Sequence, residues 1–399
     1  MKILMINVVC GIRSTGRICT DLADELTRQG HKVKIAYGRE HVPMQYQRYS
    51  VRISNDFDVY FHAITSRLFD SSGFGSRWYT EQFIKWVKKY DPDVIHLHNL
   101  HGYYIHVGVL FEYLKTCKKK IIWTLHDCWA FTGHCVFFES VNCRRWIDGC
   151  YHCPQKCEYP KSWIVDSSVR NYKEKQRIFS NIPDLTIFTP SEWLAKLVKH
   201  SFLKEYPVKV VHNGINTGTF RPTDSRLRKK YRLQNKTVIL GVAALWEERK
   251  GLKDIIALSK ILDDTHKIVL IGMKRSHRGK VPSNIITVGS TNSQKELAKF
   301  YTMADVFINP TYEDNYPSTN LESIACGTPV ISYKTGGSSE SAQMYGIAIE
   351  PGYRNLYKEI MKKRKYEKKE FDISIENAVD TYITYYTIAM PERKGEPDL

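Results

Sequence analysis

Two acidic residues, Asp314 and Glu322, are separated by seven residues in a segment predicted to form a strand, a loop, a helix and a second strand. A helix that starts at the carboxyl end of a parallel strand presents free N–H groups and a partial positive charge, and both favour a bound phosphate. Carboxylates on either side of that phosphate can accept hydrogen bonds from hydroxyl groups. The spacing therefore indicates a site for a phosphorylated ligand that is rich in hydroxyls.

Glu322 also has a purely structural interpretation. Thr319 and Glu322 have the spacing of a capping box, in which the glutamate only stabilises the start of its own helix. Ser318 and Thr319 are good N-cap residues, and Gly327 is suited to end the helix. Spacing alone does not decide between the two interpretations.

Two basic residues, Arg249 and Lys250, stand between the predicted strand 237–244 and the predicted helix 252–262. Fixed positive charge at such a position stabilises a departing phosphate without any metal. The alternative is that both side chains are only solvated at an exposed helix start.

Polar residues stand at the ends of three predicted strands in the N-terminal half. They are Asn7, His98 and His126, and the carboxyl ends of parallel strands meet at one edge of a sheet, so we expect these side chains to converge. His96 and His98 alternate onto one face, which allows a metal pair. A hydrogen-bonded histidine at a strand end is the commoner arrangement.

The sequence Asp91-Pro-Asp93 has the form of a metal-binding Asp-x-Asp motif. It lies between a predicted helix and a predicted strand, where aspartate is favoured because it hydrogen-bonds to nearby backbone groups. We interpret it as a turn.

A glycine-containing loop links the first predicted strand, 2–8, to the first predicted helix, 17–28. The order of strand, glycine loop, helix and strand is typical of the start of a doubly wound α/β domain. The loop alone is weak support for phosphate binding, because any tight turn between a strand and a helix favours glycine. Its small and hydroxylated residues are Gly11, Ser14, Thr15 and Gly16.

Four cysteines, Cys135, Cys143, Cys150 and Cys153, end in a Cys-x-x-Cys pair. Four thiolates can hold a structural zinc ion in tetrahedral geometry. Unligated thiols and disulfides are the alternatives, and the lack of an export signal favours a reducing compartment over disulfides. A zinc ion held in this way would brace the loop and leave catalysis to other groups.

The composition restricts the class of protein. The chain has 399 residues, 42% of them hydrophobic and 25% charged, which suits two globular domains and not a disordered or fibrous chain. The apolar start is short enough to be a first strand and not a signal peptide, and no run of apolar residues predicts a membrane-spanning helix. The net charge of +17 favours an anionic partner such as a nucleotide or an acidic membrane surface, and no nucleic-acid recognition motif accompanies it.

Two segments resemble the signatures of retaining glycosyltransferases of family 4. Residues 313–331 match a pattern of two acids that flank seven residues and precede a small-Gly-x-Pro-Val turn, with Asp314 where most members carry glutamate. Residues 126–134 resemble a second signature. The region from 126 to 160 is most similar to enzymes of capsule, colanic-acid and related exopolysaccharide assembly.

The resemblance implies a role for each matched residue. His126 would face the donor sugar across a cleft, Asp314 would contact that sugar, and Glu322 would hold the ribose of a nucleotide. The further donor-binding residues that it implies are Asn315, Tyr316, Ser318, Gly11, Ser14, Thr15, Gly16, Gly336 and Gly337.

The same resemblance places Lys250 on the donor diphosphate. Leu245 stands where the family has an arginine, and the neighbouring Arg249 is the natural substitute. With His126 and Asp314, these two cations complete the set of residues that we predict to be catalytic.

For the fold, the resemblance implies the GT-B architecture: two Rossmann-like, doubly wound α/β lobes with parallel sheets facing a cleft, and a C-terminal helix that returns to the first lobe. We expect an acceptor-side lobe at 1–212 with a cysteine-rich insertion at 135–157, and a connector at 213–235. A nucleotide-sugar-binding lobe would follow at 236–372, and the C-terminal helix at 373–399.

We therefore predict a glycosyltransferase that moves a sugar from a nucleoside-diphosphate sugar to a lipid-linked saccharide acceptor with retention. No cofactor is expected in catalysis. The enzyme would be cytoplasmic or peripheral on the inner face of the cytoplasmic membrane, and it would bind no nucleic acid. Two alternatives stay open: a zinc-stabilised nucleic-acid-binding protein, whose binding would fall steeply with salt, and a nucleotide-sugar epimerase of like architecture, which would need no acceptor.

Overall fold

A computed structural model describes residues 1–274, 279, 281–291 and 293–387. Within this part of the chain, the first of two parallel sheets has the strand order β3-β2-β1-β4-β5-β6-β7. Its strands are β1 Lys2–Asn7, β2 Lys32–Tyr37, β3 Ser50–Arg52, β4 Val94–Leu97, β5 Lys120–Thr124, β6 Leu185–Thr189 and β7 Val208–Val210. The accompanying helices are α1 Arg13–Arg28, α2 Asp56–Phe69, α3 Arg77–Tyr90, α4 Val107–Leu114, α5 Ser168–Phe179 and α6 Glu192–Lys199.

The second sheet of the described chain has the strand order β10-β9-β8-β11-β12-β13, and all its pairs are parallel. Its strands are β8 Thr237–Val242, β9 His266–Ile271, β10 Ile286–Val288, β11 Val306–Asn309, β12 Val330–Tyr333 and β13 Gly346–Ile349. The helices of this half are α7 Leu227–Lys230, α8 Leu252–Ser259, α9 Gln294–Met303, α10 Ser318–Ala325, α11 Ser338–Ala342, α12 Tyr353–Met361 and α13 Ile375–Thr387. The two doubly wound lobes predicted from the sequence are confirmed.

The central strands of the first lobe are buried on both faces. Leu4 and Ile6 of β1 pack in the core beneath α3 and α4, whereas Ile3 and Met5 pack in the core beneath α1 and α13. Because successive side chains of a strand point to opposite faces, a continuous apolar run needs cover on both sides. The helices supply that cover and leave the strand ends free to carry polar residues.

The helix α13 returns to the first lobe, as predicted. Val379 and Tyr382 share an apolar core with Leu22 of α1, and Gln29 Nε2 donates to Asp380 Oδ1 at 2.9 Å. The rest of the predicted C-terminal segment, 388–399, lies outside the described residues.

The stretch of chain that links the two sheets includes the residues predicted to form the connector. β7 ends at Val210 and β8 begins at Thr237, with only α7 as a regular element between them. The exact domain boundaries stay predictions. In the described residues, no helix combines the length and the apolar character needed to cross a membrane.

The first helix starts earlier than its sequence predicts. α1 begins at Arg13, so Ser14, Thr15 and Gly16 lie in its first turn and not in the loop. Gly11 has φ of +74° and Arg13 has φ of +56°, and the N–H of Gly11 donates to the carbonyl of Gly16 at 3.1 Å. These two residues reverse the chain from the left-handed region, which glycine adopts without a steric penalty, and the small residues after them are helical.

Candidate functional site

The carboxyl edge of the first sheet gathers the polar residues that were predicted to converge. Asn7 ends β1, His98 follows β4 and His126 follows β5, and these three strands are neighbours. The backbone N–H of Asn99 donates to Asn7 Oδ1 at 3.3 Å, and His98 Nδ1 lies 3.0 Å from His126 Nε2. Sheet topology therefore brings together residues that are far apart in sequence.

His96 has both ring nitrogens bonded within the fold. Its Nδ1 lies 2.7 Å from the Tyr386 hydroxyl, and its Nε2 lies 2.8 Å from the Thr124 hydroxyl. Across the described residues, no group of three or more His, Cys, Asp or Glu side chains is placed to hold a metal ion. The hydrogen-bonded interpretation of His96 is therefore the one that the structure supports.

Burial lowers the pKa of the histidines at this edge. It lowers the pKa of His96 to about 3 and that of His126 to about 4, where the adjacent Asp127 carboxylate opposes the shift. The pKa of His98 falls well below its ordinary value for the same reason. Because burial disfavours the charged imidazolium, all three rings are neutral near pH 7.

Asp127 fixes the turn that follows His126. One carboxylate oxygen accepts a hydrogen bond from the N–H of Trp129 at 2.9 Å, and the other lies 2.8 Å from His101 Nε2. The second nitrogen of His101 lies 3.1 Å from the Tyr159 hydroxyl. This chain of bonds holds the backbone that presents His126.

In the second lobe, Lys250 and Asp314 form an ion pair at the edge of the sheet. Lys250 ends the 3-10 turn Glu248–Lys250, and its ammonium group contacts the Asp314 carboxylate, with 21% and 19% of the two side chains exposed. A Cβ at Gly251 would lie 2.1 Å from the carbonyl oxygen of Pro310, so glycine permits the close approach of the two loops. The arrangement offers one cation and one carboxylate to the same ligand.

Arg249 is attached to the same loop but is more exposed. Its Nη1 donates to the carbonyl of Glu313 at 3.3 Å, its Nε lies 3.1 Å from the Glu247 carboxylate, and 41% of its side chain is exposed. Leu245, where the family has an arginine, supplies no charge. The two cations thus come from one turn, and Lys250 is the better buried of them.

Glu322 faces a tyrosine and not the start of its own helix. Its side chain is 3% exposed, and its Oε2 accepts a hydrogen bond from the Tyr301 hydroxyl at 2.9 Å. The N-cap of α10 is Pro317, with no side-chain capping bond, so the predicted N-cap at Ser318 or Thr319 is wrong. Because Pro317 holds the extended conformation directly before Ser318, Glu322 falls in the second turn, and no capping box forms.

The two lobes touch through the residue that follows Asp314. Asn315 Nδ2 donates to the backbone carbonyl of His126 at 3.1 Å, and Asn315 Oδ1 accepts from the Ser191 hydroxyl. A Cβ at Gly337 would lie 2.6 Å from Ser191 Cβ, so glycine allows this close packing of the lobes. The loop that carries Asp314 is thereby joined to the backbone of His126 in the other lobe.

The other predicted donor-binding residues of the second lobe surround this contact. Gly336 has φ of +51°, and a Cβ there would lie 2.1 Å from the Asp314 carbonyl oxygen. Ser318 is the first residue of α10. Tyr316 is buried and stacks on His212 with ring centroids 4.7 Å apart, so its ring serves packing.

In the first lobe, Asn7 Nδ2 lies 3.4 Å from Thr15 Oγ1, which places the start of α1 at the carboxyl edge of the first sheet.

Asp21 is a candidate that the sequence analysis missed. Burial raises its pKa to about 7, the Asp24 and Glu322 carboxylates add to the rise, and Arg17 opposes it. Asp21 lies in α1 of the first lobe. The spacing of Arg17 and Asp21, four residues apart in a helix, was the signal available in the sequence.

The cysteine-rich segment reaches the second lobe, which the sequence did not predict. The N–H of Ser140 donates to Glu313 Oε1 at 2.9 Å, and Trp193 Nε1 donates to Glu139 Oε1 at 3.0 Å. Burial and the Glu313 carboxylate raise the pKa of Glu139. No periodic pattern surrounds Glu139, so only the folded chain shows that it lies between the lobes.

The four cysteines predicted to hold zinc line one cavity, together with His134. Cys150 Sγ accepts a hydrogen bond from the N–H of Gly133 at 3.1 Å, and Cys135 is hydrogen-bonded to Cys153. Cys143 packs against the apolar core, and all four are free thiols. In the described residues no group of three or more His, Cys, Asp or Glu side chains is arranged to hold a metal ion, and zinc binding by these cysteines stays a prediction.

Comparison with known families gives two matches. The profile described as Glycosyltransferase Family 4 matches residues 15–219, and the profile described as Glycosyl transferases group 1 matches residues 223–374. The first covers about half of the chain.

Three known proteins illustrate the similarity. The putative colanic acid biosynthesis glycosyl transferase WcaC of Escherichia coli K12 is 24% identical over 359 residues, 87% of this chain and 86% of its own length. An N,N'-diacetylbacillosaminyl-diphospho-undecaprenol alpha-1,3-N-acetylgalactosaminyltransferase of Campylobacter jejuni is 25% identical over 148 residues, 34% of this chain and 39% of its own length. The crystal structure of HepE from Anabaena in complex with UDP-glucose has a TM-score of 0.60 at 13% identity, over 97% of this chain and 95% of its own.

These similarities do not favour the nucleic-acid-binding or epimerase alternative. The likeness to HepE is a likeness of fold.

Proposed function

This chain belongs to glycosyltransferase family 4, and from that premise we propose that it moves a sugar from a nucleoside-diphosphate donor to a lipid-linked saccharide acceptor, with retention, in surface polysaccharide assembly. The observation that carries the proposal is the contact across the cleft. Asn315 binds the carbonyl of His126 from the loop in which Asp314 is paired with Lys250. One cation, one carboxylate and one imidazole therefore border the same space.

The cation side of this space suits the departing diphosphate. As the bond from the anomeric carbon to the phosphate oxygen breaks, its electron pair passes to that oxygen, and negative charge develops there. Lys250 is placed to bind this charge, and Arg249 adds a second cation from the same turn. The start of α10 at Ser318 contributes free N–H groups and a partial positive charge.

The carboxylate side suits the two sugars of the donor. With Lys250 engaged by the diphosphate, the Asp314 carboxylate accepts hydrogen bonds from hydroxyls of the transferred sugar. Glu322 accepts hydrogen bonds from the ribose, and its bond from Tyr301 at 2.9 Å orients the carboxylate for this task. His126 approaches the transferred sugar from the first lobe.

The contacts between the lobes keep water from the reacting bond. Asn315 to His126 and Ser140 to Glu313 are hydrogen bonds that join the two walls directly. A closed cleft strengthens the electrostatic interactions inside it and suppresses hydrolysis of the donor.

A face of the first lobe suits docking to a membrane that carries the acceptor. Large aromatic side chains are exposed there instead of buried, and the Arg67 guanidinium lies 5.5 Å from the ring of one of them, Trp163. Aromatic and basic residues together are typical of surfaces that bind the interface of an anionic membrane. The Campylobacter relative is named for an undecaprenol-linked acceptor. The exposed aromatic residues are Phe57, Tyr60, Phe61, Phe69, Trp78 and Trp163.

The central test is release of nucleoside diphosphate that depends on an acceptor. A thermal-shift panel of nucleoside diphosphates and their sugars identifies the donor, because a ligand that binds the native state raises its apparent stability. Turnover of that donor with a lipid-linked saccharide, and none without it, is the expected result. Conversion of the donor without any acceptor would overturn the proposal.

Membrane docking has its own assay, cosedimentation with anionic lipid vesicles. We expect the protein to sediment with them and the double variant Phe57→Ser with Phe61→Ser to stay largely in solution. Equal sedimentation of both proteins would remove this face from the docking surface.

A further inference from the structure

His98 and His126 are joined by a hydrogen bond between their rings. His98 Nδ1 lies 3.0 Å from His126 Nε2, and the ring planes are nearly parallel, at 13°, with centroids 5.3 Å apart. His98 is 1% exposed, whereas His126 is only partly buried. One ring is thus inside the fold, and the other stands at the cleft.

The proton in this bond belongs to one ring or the other. Burial depresses the pKa of His98 and of His126, to about 4 in the second case, so each ring is neutral near pH 7 and carries a single N–H. Either His98 Nδ1 donates to His126, or His126 Nε2 donates to His98. In either case, the ring that accepts the hydrogen bond carries its own proton on its second nitrogen.

The second nitrogen of His98 decides between these arrangements. His98 Nε2 is buried and has no hydrogen-bond partner among the described residues. If His126 were the donor, His98 would have to carry its proton on Nε2, as a buried N–H without an acceptor. A buried N–H without an acceptor is rare in proteins, whereas a bare acceptor nitrogen is better tolerated.

We propose that His98 is a positioning residue that donates from Nδ1 to His126 Nε2 and thereby holds His126 with its proton on Nδ1. His126 then presents a neutral N–H donor to the cleft. Its acceptor nitrogen is occupied by His98, so His126 does not act as a base. The proposal rests on the proposed function only for the group that this N–H binds, which is an oxygen of the donor sugar or of its departing phosphate.

The surroundings prevent His98 from turning. The ring of His96 packs against that of His98 with centroids 4.1 Å apart, and His96 is itself held by Tyr386 and Thr124. Trp123 Nε1 donates to the His98 carbonyl at 3.1 Å and fixes its backbone. The tautomer of His126 is therefore determined by a rigid neighbour and not by the ligand.

The direct test is nitrogen NMR of the full-length protein labelled with 15N in the histidine rings. The His126 signals are assigned by their loss in a His126→Asn variant. We expect Nδ1 of His126 to be protonated and Nε2 to have the chemical shift of a bare acceptor. A proton on Nε2 would overturn the proposal, and this result does not depend on the enzyme's substrate.

Variants at His98 provide a test through catalysis. Asparagine places an amide N–H close to the position of Nδ1, so His98→Asn should keep most of the activity. His98→Ala should lower kcat about tenfold or more and change KM for the donor little. Equal loss in both variants, or loss in neither, would show that the bond does not position His126.

A matched control is His62→Gln, which alters another buried histidine of the first lobe, whose ring nitrogens are bonded to Ser76 and Gly75. It should keep kcat and leave the His126 nitrogen shifts unchanged. Circular dichroism and thermal unfolding of each variant separate loss of folding from loss of positioning. If the nitrogen shifts are as expected but no donor nucleotide perturbs them, the positioning role stands and the proposed function fails.

Discussion

The two walls of the cleft hold their polar groups in different ways. On the first-lobe wall, His96, His98 and His126 are neutral and are bonded to other side chains. His96 and His98 come from β4 and its end, and His126 follows β5. On the second-lobe wall, Lys250 and Asp314 form an ion pair, and about a fifth of each side chain is exposed. The histidines of the first wall are neutral and hydrogen-bonded, whereas the ion pair of the second is charged and more open to solvent.

This difference fits the two tasks of a transfer reaction. Charge that develops on a leaving group is best met by full ionic charges, which can exchange partners as the ligand binds. Orientation of a sugar ring needs fixed hydrogen bonds, and burial of neutral groups keeps them fixed. Mutations on the two walls should therefore have effects of different kinds, which can be measured separately.

The largest effect is expected on the charged wall. Lys250→Ala should lower kcat by about a hundredfold, because it removes a cation that meets the developing charge of the departing phosphate. Steady-state kinetics with saturating donor and acceptor measures this change. Lys253→Ala is the matched control, since Lys253 lies near the same turn with 76% of its side chain exposed and should keep normal kinetics. A nearly normal rate for Lys250→Ala would remove this residue from the site.

The next effect concerns binding instead of rate. Glu322→Ala should weaken binding of the nucleoside diphosphate roughly ten- to a hundredfold, as expected for loss of a hydrogen bond to a charged group. Tyr301→Phe, which leaves the carboxylate in place but removes its orienting hydroxyl, should have a smaller effect. Isothermal titration calorimetry measures both. Unchanged affinity in Glu322→Ala would leave this carboxylate with a structural role only.

The neutral wall should be visible in the dependence of stability on pH. The histidines of this wall and the buried His62 have folded pKa values far below that of an unfolded histidine, near 6.5. Between pH 6.5 and about 4 the unfolded chain therefore binds protons that the folded chain does not. The free energy of unfolding should be highest above pH 6.5 and fall with decreasing pH, by about 1.4 kcal/mol per pH unit for each histidine.

Urea unfolding at several pH values tests this expectation. His96→Gln should reduce the slope by the share of one histidine and leave it otherwise unchanged. A slope that is the same in the variant and in the natural sequence would mean that His96 is not held neutral in the fold.

The smallest effect is expected at Arg249. Its side chain is 41% exposed and is bonded to a backbone carbonyl and to Glu247, so Arg249→Ala should lower kcat less than about tenfold. Leu245→Arg, made in that variant, should restore part of the loss if an arginine there reaches the diphosphate. A loss as large as that of Lys250→Ala would show that the two cations share the charge equally.

Much of the second-lobe wall could be predicted because it is local in sequence. Asp314, Asn315 and Glu322 lie on one loop and the helix that follows, and strand, turn and helix preferences placed that loop at the edge of a sheet. The start of α10 was misplaced because Pro317 fixes the entry to the helix more strongly than the N-cap preference of Ser318. The partner of Glu322 was missed, since Tyr301 belongs to the preceding helix α9.

The cysteine-rich segment shows the opposite case. Spacing of the thiols predicted a zinc site, which stays a prediction, because spacing alone does not determine where each sulfur points. In the fold, Cys150 Sγ accepts a hydrogen bond from the N–H of Gly133, and Cys143 packs against the apolar core. The same segment also reaches the second lobe, where the N–H of Ser140 donates to Glu313 Oε1 at 2.9 Å.

The sequence by itself determined the two parallel-sheet lobes, the strand ends that carry Asn7, His98 and His126, and the loop that carries Asp314. Apolar periodicity, glycine turns and short motifs specify these features because they act over a few residues. Only the tertiary structure decided that His98 bonds to His126, that Asn315 reaches the His126 carbonyl, and that Glu322 faces Tyr301. The reason is physical: a hydrogen bond forms within a few tenths of an ångström, and the packing of whole helices and sheets sets that distance.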